Sequence, residues 1–213
     1  MKSMRVPLLA HVEKEGDLKA LSAMMDKLQH QVIDITSWAD YAYKPGVSFA
    51  IAHTDDCVVL KYYVKEKDIQ AKHNKINEAV YKDSCVEFFI AFDEGGYYNF
   101  EFNCIGNCLC GYGPAKQDRE ALPVAQLQRI KYQATIHRTS AQANAEWELL
   151  VVIPVDVFSI HSLSSLNGLT ATANFYKCGD ELPEPHYVSW TKIETAQPDF
   201  HQPKYFGELK FEM

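Results

Sequence analysis

The chain has 213 residues, enough for one large domain or two small ones, and 47% apolar residues with 12% aromatics, the proportions of a globular protein. A net charge of -7 and an isoelectric point near 5.6 argue against nucleic acid or an anionic membrane as partner, and no basic run appears anywhere. No stretch of about 18 apolar residues is present, which excludes a transmembrane helix.

In chain order, the N-terminus MKSMRVPLLAHVEKEG begins basic, but its apolar run stops at Val12. That is too short for a secretory leader, so either the protein is cytoplasmic or its leader lies outside this sequence, and the location stays open. Residues 17–29 place Leu18, Leu21, Met25 and Leu28 at helical spacing, with Asp17 as the N-cap. From Val32 onward the pattern is that of strands, at 47–53, 56–64, 84–92, 97–105, 129–137, 146–153, 169–177, 186–190 and 207–212, nearly all bounded by turn residues. Short strands without intervening helices predict an all-β sandwich or jelly roll of mainly antiparallel strands, with one short N-terminal helix. We read a single domain over 1–213, in which 1–31 is a helical lead-in and 32–213 the sandwich. The stretch 106–127 reads as its longest irregular segment; it carries Lys116 and Arg119, and loops of that length are often functional.

The segment 81–106, YKDSCVEFFIAFDEGGYYNFEFNCIG, is a hairpin around an Asp-Glu-Gly-Gly turn. Alternation puts Val86, Phe88 and Ile90 on one face and Cys85, Glu87 and Phe89 on the other. In the second run Tyr98, Phe100, Phe102 and Cys104 oppose Tyr97, Asn99, Glu101 and Asn103. Glu87, Glu101 and Asn103 are thereby expected together on an exposed face, either as a hydroxyl-binding patch or as a wet sheet surface. Residues 169–177, LTATANFYK, repeat the logic: Thr170, Thr172, Asn174 and Tyr176 share one face, Ala171, Ala173, Phe175 and Lys177 the other. Asn174 offers the donor and acceptor that vicinal hydroxyls want.

Trp147 is in line with Leu149, Val151 and Ile153 and reads as core, and Trp38 as a plug at the end of the sandwich. Trp190 is either core or an exposed ring able to stack on a sugar. The six cysteines, at 57, 85, 104, 108, 110 and 178, include a C-x3-C-x-C trio without the paired knuckles of a zinc site, and read as buried free thiols. No metal site is expected from them. The eight histidines are scattered, and His186 and His201 read as loop residues bonded to backbone or solvent. No nucleophile, P-loop or dinucleotide motif is present.

VYKDSCVEFF, YYNFEFNCIG, ANFYKCGD and HYVSW with PDFHQPKYFGELKFE resemble the family 9-like carbohydrate-binding modules, from about Val32 to the end. These occur alone and as parts of xylan-degrading enzymes. The resemblance implies a non-catalytic β-sandwich that clamps a terminal sugar between two aromatic rings, with glycan-degrading enzymes as associates. It assigns Tyr81 to the first ring, Glu87 to the strand glutamate and Asn174 to the later asparagine, with Tyr176 or Trp190 as the second ring. Lys177 stands where a bulky ring belongs. Glu101 and Asn103 would add hydroxyl bonds, and Lys116 or Arg119 would close over the ligand. Calcium is implied by the resemblance, although no acidic ligand cluster stands out and no cofactor is expected. Two alternatives stay open: a glycoside hydrolase using Glu87 and Glu101 as acid and base, and a sandwich that has kept the fold as an interaction domain and lost the sugar.

Overall fold

The computed structural model describes residues 2–9, 17–137 and 144–213. Residues 10–16, which include the end of the N-terminal apolar run at Val12, lie outside the described residues.

The strands are β1 (Ser3–Val6), β2 (Gln31–Val32), β3 (Ile35–Thr36), β4 (Gly46–Thr54), β5 (Cys57–Glu66), β6 (Cys85–Ala91), β7 (Tyr97–Asn103), β8 (Cys108–Gly113), β9 (Glu120–Ala121), β10 (Lys131–His137), β11 (Ala145–Pro154), β12 (Thr170–Cys178), β13 (Tyr187–Ser189) and β14 (Gly207–Phe211). They form two sheets. The larger runs β1-β14-β12-β6-β7-β8-β9, with β13 attached to β12 and β3 to β13; the smaller runs β10-β11-β5-β4-β2. Pairing is antiparallel except between β1 and β14. All nine expected strands are present, in an all-β sandwich.

The core follows from the period-2 pattern. Val86, Phe88, Ile90, Tyr98, Phe100 and Phe102 face inward from the larger sheet and meet Phe49, Tyr62, Trp147, Leu149 and Val151 of the smaller. Phe49 stacks on Phe175 at 3.9 Å between ring centres, and Trp190 stands edge-on to both. Trp190 is fully buried there, so of its two expected placements the core one holds.

One charge cluster interrupts this apolar interior. Lys177 Nζ lies 2.7 Å from Glu66 Oε2 and 2.8 Å from His186 Nε2, and it donates to the Cys178 carbonyl at 2.8 Å. Trp147 Nε1 donates to Glu66 Oε1 at 2.7 Å. Glu66 ends β5 and Lys177 lies on β12, so the pair ties the two sheets together. Burial, then the Lys177 charge, pushes the His186 pKa down to about 3 and keeps the ring neutral.

The helix is α1 (Leu18–Met25), and Asp17 accepts the Lys19 amide N–H at 2.8 Å as its cap. Leu21 and Met25 pack on Ala50, Ala52, Val59 and Leu150, on the outer face of the smaller sheet. Just past the helix, Asp26 accepts from Tyr63 at 2.7 Å and pairs with the buried Lys61 at 2.5 Å.

Two expectations change. The N-terminal lead-in is not outside the sandwich, because β1 pairs in register with β14. The stretch 106–127 is largely regular: it holds β8, β9 and the single turn α2 (Val124–Leu127), leaving 114–119 as the loop. Gly111 and Gly113 weaken the strand signal of β8, yet a Cβ at either would crowd the backbone of Glu120 or Asp118.

Candidate functional site

The outer face of the larger sheet is not exposed. A second apolar layer lies on it, built from Phe89, Tyr97 and Tyr176 of the sheet together with Trp38, Ile193, Phe200 and Phe206 from the segments that fold back across it. Glu87 and Glu101 therefore keep only 3% exposure each, and Asn103 none. This corrects the expected exposed patch: the alternation is right, but the face is roofed by the residues after Trp190.

Where the roof is incomplete, a cavity of about 220 Å³ remains. Its floor is Glu87, Glu101 and Cys178, all buried; Tyr81, Tyr187, Phe200 and His201 supply rings; Lys116, Arg119, Asp180 and Asp199 are more exposed around it. The volume is below the roughly 300–1,000 Å³ of pockets for drug-sized ligands, and suits one sugar ring.

Tyr81 sits in a 3-10 turn, Val80–Lys82, whose Val80 is buried. The Tyr81 carbonyl accepts from the Asp180 amide at 3.2 Å and lies 3.4 Å from Cys178 Sγ, which ties the turn to the end of β12. Beneath it, the Asp83 carboxylate accepts the amides of Lys72 and His73, both at 2.9 Å, and Asn103 Nδ2 at 3.0 Å. Burial alone would raise the Asp83 pKa, but these donors outweigh it and hold the group below its ordinary value.

Glu87 and Glu101 are directly opposite in the β6–β7 register. Cys178 donates its thiol proton to Glu87 Oε1 at 3.1 Å, and Asn99 Nδ2 donates to Glu101 Oε1 at 2.9 Å. Glu101 Oε2 is buried without a partner. Burial and then the neighbouring Glu101 raise the Glu87 pKa well above the carboxylate range. Burial raises Glu101 to about 7, against the lowering effects of Asn99 and Arg119. Two carboxyls so placed titrate as a unit and hold protons near neutral pH, which gives the floor a donor as well as acceptors. Asp180 is raised to about 6 by burial, against a hydrogen bond with Tyr187. His201, bonded through Nδ1 to the Tyr97 hydroxyl at 2.9 Å, is pushed down to about 3 by burial and by Arg119 and Lys116. It presents a neutral ring.

Of the residues expected from sequence, Tyr81, Glu87, Glu101, Lys116 and Arg119 line this cavity, and five others do not. Asn103 holds the turn below Tyr81, donating to the His73 carbonyl at 2.7 Å as well as to Asp83. Asn174 Oδ1 accepts the amides of Phe175 and Thr191 at 2.9 and 3.0 Å, tying β12 to the roof. Tyr176 stacks on Phe200 at 4.2 Å and donates to its carbonyl, so it props a wall it does not form. Lys177 and Trp190 point between the sheets. Sequence reasoning missed Leu109, Cys178, Asp180, Tyr187 and the 198–201 segment. Cys178 was within reach, since it shares the parity of Tyr176; the return of 198–201 over the sheet leaves no period to read.

Among the described residues, one group of three His, Cys, Asp or Glu side chains has donor atoms close enough to hold a metal: Cys85, Glu87 and Cys178. Two thiols and one carboxylate do not fit calcium, which takes six to eight oxygens.

A sandwich with a ring-walled, carboxylate-floored cavity beside one sheet defines a carbohydrate-binding module of the β-sandwich kind. The chain belongs to carbohydrate-binding family 9, whose family model matches residues 18–211. That family is carbohydrate-binding and non-catalytic. The chain is 39% identical to a protein of Bacteroides uniformis ATCC 8492, provisionally described as carbohydrate-binding, with a TM-score of 0.91 over 99% of both chains. A family 9 module of Caldicellulosiruptor kristjanssonii in complex with glucose superposes at a TM-score of 0.64, with 13% identity over 99% of this chain and 96% of that one. The cellotriose complex gives 0.61 and 14% identity, over 99% and 94%. No curated protein matches the chain.

Proposed function

We propose that the chain acts by binding alone, taking one terminal sugar ring of a mono- or oligosaccharide into the cavity beside Tyr81. The carrying observation is the pairing of Glu87 with Glu101 on a buried floor flanked by Tyr81, Tyr187, Phe200 and His201. Hydroxyls meet a protonated and an ionised carboxyl at the floor, while the rings face the apolar C–H surface of the sugar. The Caldicellulosiruptor module is described with glucose and with cellotriose, which supports sugars of that size as first probes. In this reading the chain serves glycan-degrading enzymes as an accessory.

Calorimetric titration with glucose, cellotriose and a wider panel of glycans tests it. Binding is expected in the micromolar to millimolar range, and Tyr81→Ala is expected to lose about 1 kcal/mol, roughly fivefold in Kd. Absence of heat with every glycan would overturn the proposal. Release of reducing sugar by the wild type, lost in Glu87→Gln, would show instead that the pair is a hydrolase site.

A further inference from the structure

Cys85 and Cys178 are cross-strand neighbours, directly opposite in the β6–β12 register, and both lie on the roofed outer face. Cys104, Cys108 and Cys110 belong to the interior between the sheets, so the trio that looks metal-like in the sequence is dispersed into core packing. The pair far apart in sequence is the one that meets a carboxylate. Cys178 Sγ is 3.1 Å from Glu87 Oε1, and the Cys85, Cys178 and Glu87 donor atoms all lie within 4.8 Å of one another. A tetrahedral zinc ion, with bonds of about 2.3 Å to sulfur and 2.0 Å to oxygen, sets its ligands about 3.5–3.8 Å apart. The triad's separations, from 3.1 Å up to at most 4.8 Å, bracket that spacing.

The triad has an entry path and an open position. Glu87 and Cys178 line the cavity, so an ion enters from there and its fourth position faces the same space. Directly across the strand pair, Glu101 Oε2 is buried without a partner, placed to accept a hydrogen bond from whatever fills that position. Two sulfurs and one oxygen select borderline and soft ions over magnesium and calcium. Burial keeps both thiols protonated in the absence of metal, Cys85 being raised to about 12. Zinc binding would displace those two protons, and the one Glu87 holds, to solvent through the cavity as the three ligands deprotonate.

We propose that Cys85, Glu87 and Cys178 form a three-ligand site for a thiophilic divalent ion, zinc foremost, whose fourth position opens into the cavity. The site shares Glu87 and Cys178 with the proposed sugar floor, so the metal-bound state and the protonated Glu87 of that reading are alternative states of one cavity.

The test is titration of the full chain, kept reduced by a phosphine, with cobalt(II) as a spectroscopic stand-in for zinc. The expected result is a thiolate-to-cobalt charge-transfer band with the d–d absorption of a four-coordinate ion, saturating at one equivalent and bleached by one equivalent of zinc. Cys85→Ser and Cys178→Ser, checked for folding by circular dichroism, should each weaken cobalt binding at least about tenfold, the loss typical of an altered metal shell. Cys57→Ser should leave the band unchanged. Wild type without a charge-transfer band, or a band that survives both the Cys85 and Cys178 substitutions, would overturn the proposal. Should either serine variant fail to fold, Glu87→Gln decides: it must keep sulfur coordination but bind cobalt more weakly. Sugar titrations under chelator have a separate readout, so failure of the metal site and failure of the sugar reading are told apart.

Discussion

Replacing Glu101 with Gln should stabilise the protein above neutral pH and leave it nearly unchanged in acid. Glu101 is 3% exposed, directly opposite the equally buried Glu87, and burial raises its pKa to about 7 from an unfolded value of 4.5. The sign follows from linkage. The folded state holds the Glu101 proton more tightly than the unfolded state does, so this contribution is fully present below the unfolded pKa. It is lost as pH rises through the folded one. At about 1.4 kcal/mol for each pH unit between those values, the ionised group costs the fold on the order of 3 kcal/mol by pH 8. A glutamine removes that cost while its Oε1 still accepts from Asn99 Nδ2, and its amide can donate to Glu87. For a domain of this size about 3 kcal/mol corresponds to a rise of roughly 6–12 °C in Tm. Calorimetric melts of wild type and Glu101→Gln with a chelator present, at pH 4.5 and pH 8, measure the effect. A difference in Tm that is the same at both pH values, or a variant less stable at pH 8, would refute the buried-pair argument.

Lys177→Met should lower stability by about 3–5 kcal/mol in guanidinium unfolding, because it strands the Glu66 carboxylate between the sheets. Adding Glu66→Leu should recover much of that loss, as an apolar pair of similar volume often equals a buried ion pair. Trp190→Phe should cost about 1–3 kcal/mol in the same assay, since it shortens a fully buried ring packed on Phe49 and Phe175. Its sugar affinity, by calorimetry, should stay within about twofold of wild type, because the ring lies outside the cavity.

How much of this was legible turns on what alternation reports. Period 2 says which side chains share a face, and it sorted Val86, Phe88 and Ile90 from Cys85, Glu87 and Phe89 as the sandwich does. It says nothing about whether the second face meets water. The roof comes from Trp38 and residues 193–206, which carry little regular structure and hence no period, so its placement is a long-range outcome of packing. A local clue did exist. Phe89, Tyr97 and Tyr176 fall on the supposedly polar face, and three large rings in one patch ask for a second layer. The same parity argues against Lys177 as a sugar ligand, since it shares the inward face of Phe175, where a lone lysine demands a buried acid such as Glu66. Strand β8 escaped for the opposite reason: its glycines look like a loop because the chain there trades side chains for close backbone approach to β9. The cavity is thus a product of both scales. The alternating strands set the acidic floor, and the irregular return of 198–201 decides that only one sugar ring's worth of it stays open.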